Sequence, residues 1–306
     1  MQPKIGYIMK NATLLLIAVA SVGCGANQPK PMPGGLAPWE RPDVKRPVVD
    51  GDQQGLELRI WAIEDQDALV ADLIDTYQGR PTPLLDSDRT AWRASGLMPI
   101  TIPIDELTLA RGRMRLIGAE QQDWFGELAD WRETVPGRLV AKGSQITLAD
   151  GRMRTPAGRF RVLTRCWVEP GADGPAMHIE LAVQLQDLKR RPTAVDLAMN
   201  GAPSLVEQGL VFPELVTSFQ MRKDEALVIV PVPPGFDPMT LLIDEEAEPV
   251  VPEAGPPIPA MPTIGEAMLT SVEFGGISPV RRRAILVLIA RLPDEYRLLS
   301  TYGVYP

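Results

Sequence analysis

The chain shows two kinds of apolar periodicity in close succession near its first ordered segment. Leu56, Leu58, Ile60 and Ala62 alternate with Glu57, Arg59 and Trp61, the two-residue period of a half-buried strand. Val70, Leu73, Ile74 and Tyr77 then recur at helical spacing, with Asp72 and Asp75 on the opposite face. Asp65 or Asp67 is placed to cap this helix, and Gly79 and Pro81 stop it. A second unit repeats the order: a strand through residues 97–102, then a helix after Pro103 carrying Ile104, Leu107 and Met114. Residues 55–130 therefore read as a small α/β subdomain.

From Trp131 onward the period is that of strands. Ala149-Asp150-Gly151-Arg152 reads as a hairpin turn. Residues 159–168 put Phe160, Val162, Thr164, Cys166 and Val168 on one face; residues 177–185 do the same with Met177, Ile179, Leu181, Val183 and Leu185. Between them residues 169–175 (EPGADGP) form a loop of turn residues, so the two runs are expected to pair as an antiparallel hairpin. A further hairpin is expected to join 215–222 to 226–232 across Lys223-Asp224-Glu225. Residues 284–292 (AILVLIARL) are apolar on both faces, the mark of a central or covered strand. The expected class is α+β: a small α/β layer followed by a larger antiparallel β-rich region over 131–306. Within it, residues 244–263 are acidic and Pro-rich and read as a disordered insertion.

The N-terminus has a different character. Lys4 and Lys10 precede an apolar run at 12–22, closed by Gly23-Cys24-Gly25. A basic start, a short apolar stretch and small residues are the marks of an export signal. The run is about half the ~20 residues a membrane-spanning helix needs. Ser21-Val22-Gly23-Cys24 resembles the lipobox of bacterial lipoproteins, with Ser21 in place of the usual Leu. That resemblance implies a signal peptide over 1–23, removal of which leaves Cys24 as an acylated first residue carrying three chains, enough for a stable anchor. Met1 and Met9 both stand as candidate starts, and a plain secretory peptide with an incidental cysteine is the other reading. Gly25 is not the Asp that retains such lipoproteins in the inner membrane of enterobacteria, which favours the outer membrane facing the periplasm. Residues 24–54, rich in Pro and Gly without apolar periodicity, read as a tether. Trp39 within it either folds back on the domain or docks on a partner.

Charge and chemistry narrow the function. Lys4 and Lys10 fall in the signal, so the mature chain carries 29 basic and 39 acidic residues, a formal charge of −10. Such a surface repels phosphate backbones, and no nucleic acid partner is expected. Arg281-Arg282-Arg283 is the one dense basic cluster and reads as a solvated strand end. With Cys24 acylated, Cys166 has no intramolecular disulfide partner. Cys166 and His178 alternate to opposite faces, which forbids a Cys–His nucleophile pair; Cys166 reads as a buried small hydrophobe and His178 as a solvent-facing strand residue. Serine–histidine hydrolysis has only His178 to use, without a G-x-S-x-G elbow. Zinc ligands, phosphate loops and dinucleotide fingerprints are lacking, so no cofactor and no metal are expected. Asp244-Glu245-Glu246 lacks EF-hand spacing and reads as a solvated charge run. Trp92, Trp124, Trp131 and Trp167 serve either a sugar site or packing, and their placement decides between them.

The order of the later segments is similar to the core of bacterial secretins. Residues 158–170 and 177–185 resemble its strand, loop and return strand; residues 215–232 resemble its hairpin around an acidic turn. Pro262-Thr263-Ile264-Gly265 with 284–291 resembles its closing strand, although the repeated Pro-x-Leu-Gly motif is incomplete. The resemblance implies a diverged envelope module without a pore. The expected function is a lipid-anchored envelope protein, non-enzymatic, that binds or scaffolds a protein partner. The alternative is an envelope hydrolase or carbohydrate-binding module using carboxylates and tryptophans.

Overall fold

The computed structural model describes residues 54–171, 174–188, 203–239, 261–273 and 280–293, together with Met199. In chain order the elements are β1 (Gly55–Glu64), α1 (Asp67–Tyr77), α2 (Asp86–Ala94), β2 (Leu97–Pro103), α3 (Leu107–Arg113), β3 (Gln121–Gly126), β4 (Leu128–Val140), β5 (Gln145–Leu148) and β6 (Gly151–Arg154). There follow β7 (Gly158–Gly171), β8 (Gly174–Asp187), a 3-10 turn (Leu205–Gln208), β9 (Gly209–Met221), β10 (Glu225–Pro231), α4 (Ile264–Leu269), β11 (Thr270–Glu273) and β12 (Val280–Arg291). The class is α+β, dominated by antiparallel strands.

The strands form a six-stranded sheet in the order β2-β10-β12-β1-β3, with β11 also on β12, a four-stranded sheet β4-β7-β8-β9, and a separate hairpin β5-β6. Strand alternation divides the apolar residues of the large sheet between two cores. Leu56, Leu58, Ile60, Leu227, Leu286 and Leu288 meet Phe160, Val162, Cys166, Ile179 and Leu181 of the smaller sheet. On the opposite face Trp61, Ile63, Val228, Ile285 and Val287 meet Val70, Leu73 and Ile74 of α1 and Leu107 and Ala110 of α3. The layers are therefore helices, six-stranded sheet, four-stranded sheet. β12 lies between two covered faces, which is why its sequence shows no alternation. Each of its leucines or isoleucines contributes about 1.5–3 kcal/mol by leaving water.

The structure departs from several of the expectations. Residue 130 does not divide the chain into two separate layers. The large sheet takes β1, β2 and β3 from before it and β10, β11 and β12 from after it, while 128–221 supplies the whole smaller sheet in between. The expected hairpin across Lys223-Asp224-Glu225 does not form. β9 pairs with β8 and β10 with β2 and β12, so at this turn the chain leaves one sheet for the other. This removes the hairpin that the secretin resemblance implied. The strands flanking the 169–175 loop extend inward to a Gly171↔Gly174 pair, so only residues 172–173 are left between them. Neither Asp65 nor Asp67 caps α1; its N-cap is Gln66, without a side-chain bond. Both aspartates instead hold Arg283, which is 2% exposed, while Arg281 pairs with Asp65 and Glu266. The arginine cluster is thus a clamp between β12 and the start of α1. The 244–263 insertion lies outside the described residues up to residue 260.

α2 buries Trp92 alone, yet it closes one side of the sandwich, touching both β2 and β9. Trp92 enters the core at 1% exposure, and Asp88 accepts a hydrogen bond of 2.6 Å from the Thr217 hydroxyl on β9. At the same end, α4 opens with a reciprocal capping box between Thr263 and Glu266. Gly265 and Gly96 touch there: a Cβ on Gly265 would stand 2.0 Å from the Gly96 carbonyl oxygen.

Candidate functional site

The four-stranded sheet packs one face on the core and leaves the other outward, and the outward positions carry the chemistry. On β7 these are Arg159, Arg161, Leu163, Arg165, Trp167 and Glu169, because Phe160, Val162, Cys166 and Val168 point inward; of the six, Arg161 and Leu163 are themselves buried. Register fixes their neighbours: Trp167 lies opposite His178 and Arg165 opposite Glu180 on β8, which in turn face Gln220 and Ser218 on β9. β4 is irregular where it passes them. Its pairing jumps from Leu128↔Cys166 to Arg132↔Thr164, so residues 129–131 bulge and Trp131 is brought over Arg165.

A row of stacked groups results. The Trp167 and His178 rings stack at 4.3 Å between centroids and 24° between planes. The Arg165 guanidinium carbon sits 5.2 Å from the Trp131 ring and 5.8 Å from the Trp167 ring, within reach of a cation–π contact to each. Glu180 accepts from Arg165 Nε. Burial pushes the Glu180 carboxyl up, but Arg165 and His178 outweigh it and hold it below the ordinary carboxylate value. The same hydrogen bond raises the Arg165 pKa against the effect of burial.

His178 is engaged on both ring nitrogens. Nδ1 lies 3.6 Å from Glu169 Oε1; Nε2 lies 3.4 Å from Glu180 Oε1 and 3.1 Å from the Ser218 hydroxyl. Gln220 donates to the same Glu169 oxygen. Ser218, His178 and Glu169 thus lie in the order that a nucleophile, a base and a carboxylate take, with Ser218 within hydrogen-bond distance of Nε2 and Glu169 at 3.6 Å from Nδ1, longer than a hydrogen bond. The three residues come from three strands and no motif joins them, so the sequence alone did not bring them together. The only signal was the single histidine on an outward strand position. Glu180 sits beside Nε2 as well, where it competes with the hydroxyl for that nitrogen.

Cys166 and His178 stand on opposite faces of the sheet, as the alternation required. Cys166 is fully buried, pairing with Ile179 across the strands while Trp167 pairs with His178. Burial raises its thiol pKa to about 11. The tryptophans divide: Trp92 is core, Trp124 is half-buried on β3, and Trp131 and Trp167 share the outward face. Cys24, Trp39 and Asp244-Glu245-Glu246 lie outside the described residues. Among the described residues no group of three His, Cys, Asp or Glu side chains is arranged to hold a metal ion, and no helix is long and apolar enough to cross a membrane. A second polar group on the same face ties down the 3-10 turn. Arg161 and Gln184 both donate to the Leu205 carbonyl, and Glu133 pairs with Arg159 and Arg161.

No family model, no curated protein and no solved structure matches this chain.

Proposed function

We propose that the chain is a cell-envelope protein, anchored through an acylated Cys24 on the periplasmic side of the outer membrane, whose domain binds a protein partner through the outward face of the four-stranded sheet. The observation that carries the binding half is the row Trp131, Arg165, Trp167 and His178 on that face. Tryptophan and arginine are the residues in which binding energy concentrates at protein interfaces. Here their side chains are held in place by stacking and by Glu180, so little rotamer freedom is left to lose on association. The anchor rests on the lipobox-type segment ending at Cys24. Wild-type protein is expected to incorporate labelled fatty acid and enter a detergent phase, and Cys24→Ser to do neither. Unlabelled wild-type protein in the aqueous phase would leave an ordinary exported domain.

The Ser218–His178–Glu169 geometry supports the second reading, an envelope hydrolase. On that reading Ser218 is the nucleophile, His178 its base and Glu169 the group that orients the ring. An activated serine should take up a fluorophosphonate probe, and Ser218→Ala and His178→Asn should each abolish the labelling. Absence of labelling in wild-type protein removes this reading.

A further inference from the structure

The described cations are mostly in use. Arg59, Arg80, Arg89, Arg111, Arg113, Arg115, Arg159, Arg161, Arg165, Arg281, Arg283 and Arg291 all lie within ion-pair distance of carboxylates. Besides the single exposed Arg132 on β4, one exposed group differs. Lys142, Arg152 and Arg154 stand on or beside the β5-β6 hairpin, are exposed, and among the described residues face no acidic side chain within ion-pair distance. Their placement follows from the strand period. Ile146 is buried in the sandwich core, with Leu148 and Met153 packed against it, which turns Arg152 and Arg154 to the other side. On that side they lie about 7 Å apart along β6. Thr155 ties the loop that carries Lys142 to the end of β6: its hydroxyl donates to the carbonyls of Ala141 and Ser144, and Gly143 N–H donates to its own carbonyl. Leu139, three residues ahead of Lys142, is 69% exposed.

Three such cations beside an exposed leucine, on a chain of formal charge −8, are a local reversal of the protein's field. We infer that the outer face of the β5-β6 hairpin is a contact surface for an anionic bilayer, with Lys142, Arg152 and Arg154 on lipid phosphates and Leu139 at the interface. A lipid surface fits better than a rod-like polyanion because an apolar side chain accompanies the charges. The inference rests on the anchored reading, which brings the domain to a membrane. Gly55 lies at the opposite end of the sandwich, since β4 leaves the Gly126 end and runs 13 residues before the hairpin. A chain of 31 residues, the length of 24–54, can extend to about 90 Å at about 3.1 Å per residue, more than the roughly 44 Å that the 13 residues of β4 span at about 3.4 Å each. The tether therefore allows the hairpin to reach the bilayer that holds Cys24.

The test uses the full chain with Asp150→Cys at the hairpin tip carrying a spin label; buried Cys166 leaves the new thiol as the reactive one. Reconstituted in phosphatidylglycerol vesicles, the label should be slowed and screened from aqueous relaxation agents, and freed by salt as the Debye length shortens. In phosphatidylcholine vesicles it should stay mobile. Lys142→Gln, Arg152→Gln and Arg154→Gln together should weaken the contact about 100-fold, at about fivefold per cation, with an unchanged denaturation midpoint. Equal mobility in both lipids, no effect of the triple variant, or capture by inorganic polyphosphate without vesicle contact would overturn the inference. If Cys24 carries no lipid, the chain will fail to reconstitute. The same label placed in a Cys24→Ser background and read on added phosphatidylglycerol vesicles then tests the hairpin alone.

Discussion

Cys166 gives a quantitative check on which way β7 faces. Its thiol pKa is raised from 9.0 to about 11 by burial, which outweighs the opposing backbone hydrogen bond at Leu128. The thiol also makes a long contact of 3.6 Å from Sγ to the Gly126 carbonyl. At pH 8 a thiol of pKa 9 is about one-tenth thiolate and one of pKa 11 about one-thousandth, so ionisation alone slows alkylation roughly 100-fold. Complete burial adds steric exclusion, and labelling by a bulky maleimide should proceed only through opening of the sandwich. That rise corresponds to on the order of 3 kcal/mol, and the sign is determined by which state ionises first. Below pH 9 the thiol is neutral in both states and its contribution is intact. Between pH 9 and 11 the unfolded thiol ionises while the folded one resists, and stability falls by up to that amount. Denaturation midpoints at pH 8 and pH 10.5 should therefore converge in Cys166→Ala relative to wild type. Cys166→Ser should cost about 1–3 kcal/mol, since its shorter side chain leaves a buried hydroxyl poorly paired. Rapid labelling at pH 8, insensitive to denaturant, would refute the face assignment and with it the outward position of His178.

Other perturbations test other joints of the fold. Arg283→Ala leaves buried Asp65 with only the half-exposed Arg281 as partner and should destabilise by up to about 3–5 kcal/mol in urea titration, where a solvated strand end would lose almost nothing. Gly265→Ala forces a Cβ against the Gly96 backbone and should destabilise the fold by about 1–3 kcal/mol or more, read as a lowered melting temperature. Glu180 titrates below the ordinary carboxylate value, so its stabilisation is present above that range and lost as pH falls through the folded pKa; Glu180→Gln should flatten the acid limb of a stability–pH profile.

The sequence was most legible where alternation and apolar content agreed. Phe160 to Val168 against Met177 to Leu185 gave both the pairing and the buried face, and the two-sided apolar run at 284–292 gave the centre of the large sheet. It misled where a short acidic turn looked like a hairpin. Lys223-Asp224-Glu225 joins two strands that are adjacent in sequence but belong to different sheets, and only long-range partners decide that. α2 was invisible because Asp86, Asp88 and Arg89 make its surface polar and a single Trp92 supplies its core contact. Arg283 looked solvated because its partners, Asp65 and Asp67, lie more than two hundred residues away. The Ser218–His178–Glu169 set needed the register of three strands and the Trp131 contact needed the bulge in β4, neither of which has a sequence mark.

Whether the outward face of the four-stranded sheet meets a protein partner in the envelope is open to direct test in intact membranes. A photo-crosslinking amino acid is placed at Val216, exposed on β9 opposite Ala182 on that face. One discrete, saturable adduct with another envelope protein is expected, lost when Trp167→Ala is added to the same chain. Recovery of the uncrosslinked monomer alone, or an adduct indifferent to Trp167→Ala, would contradict partner binding through this face.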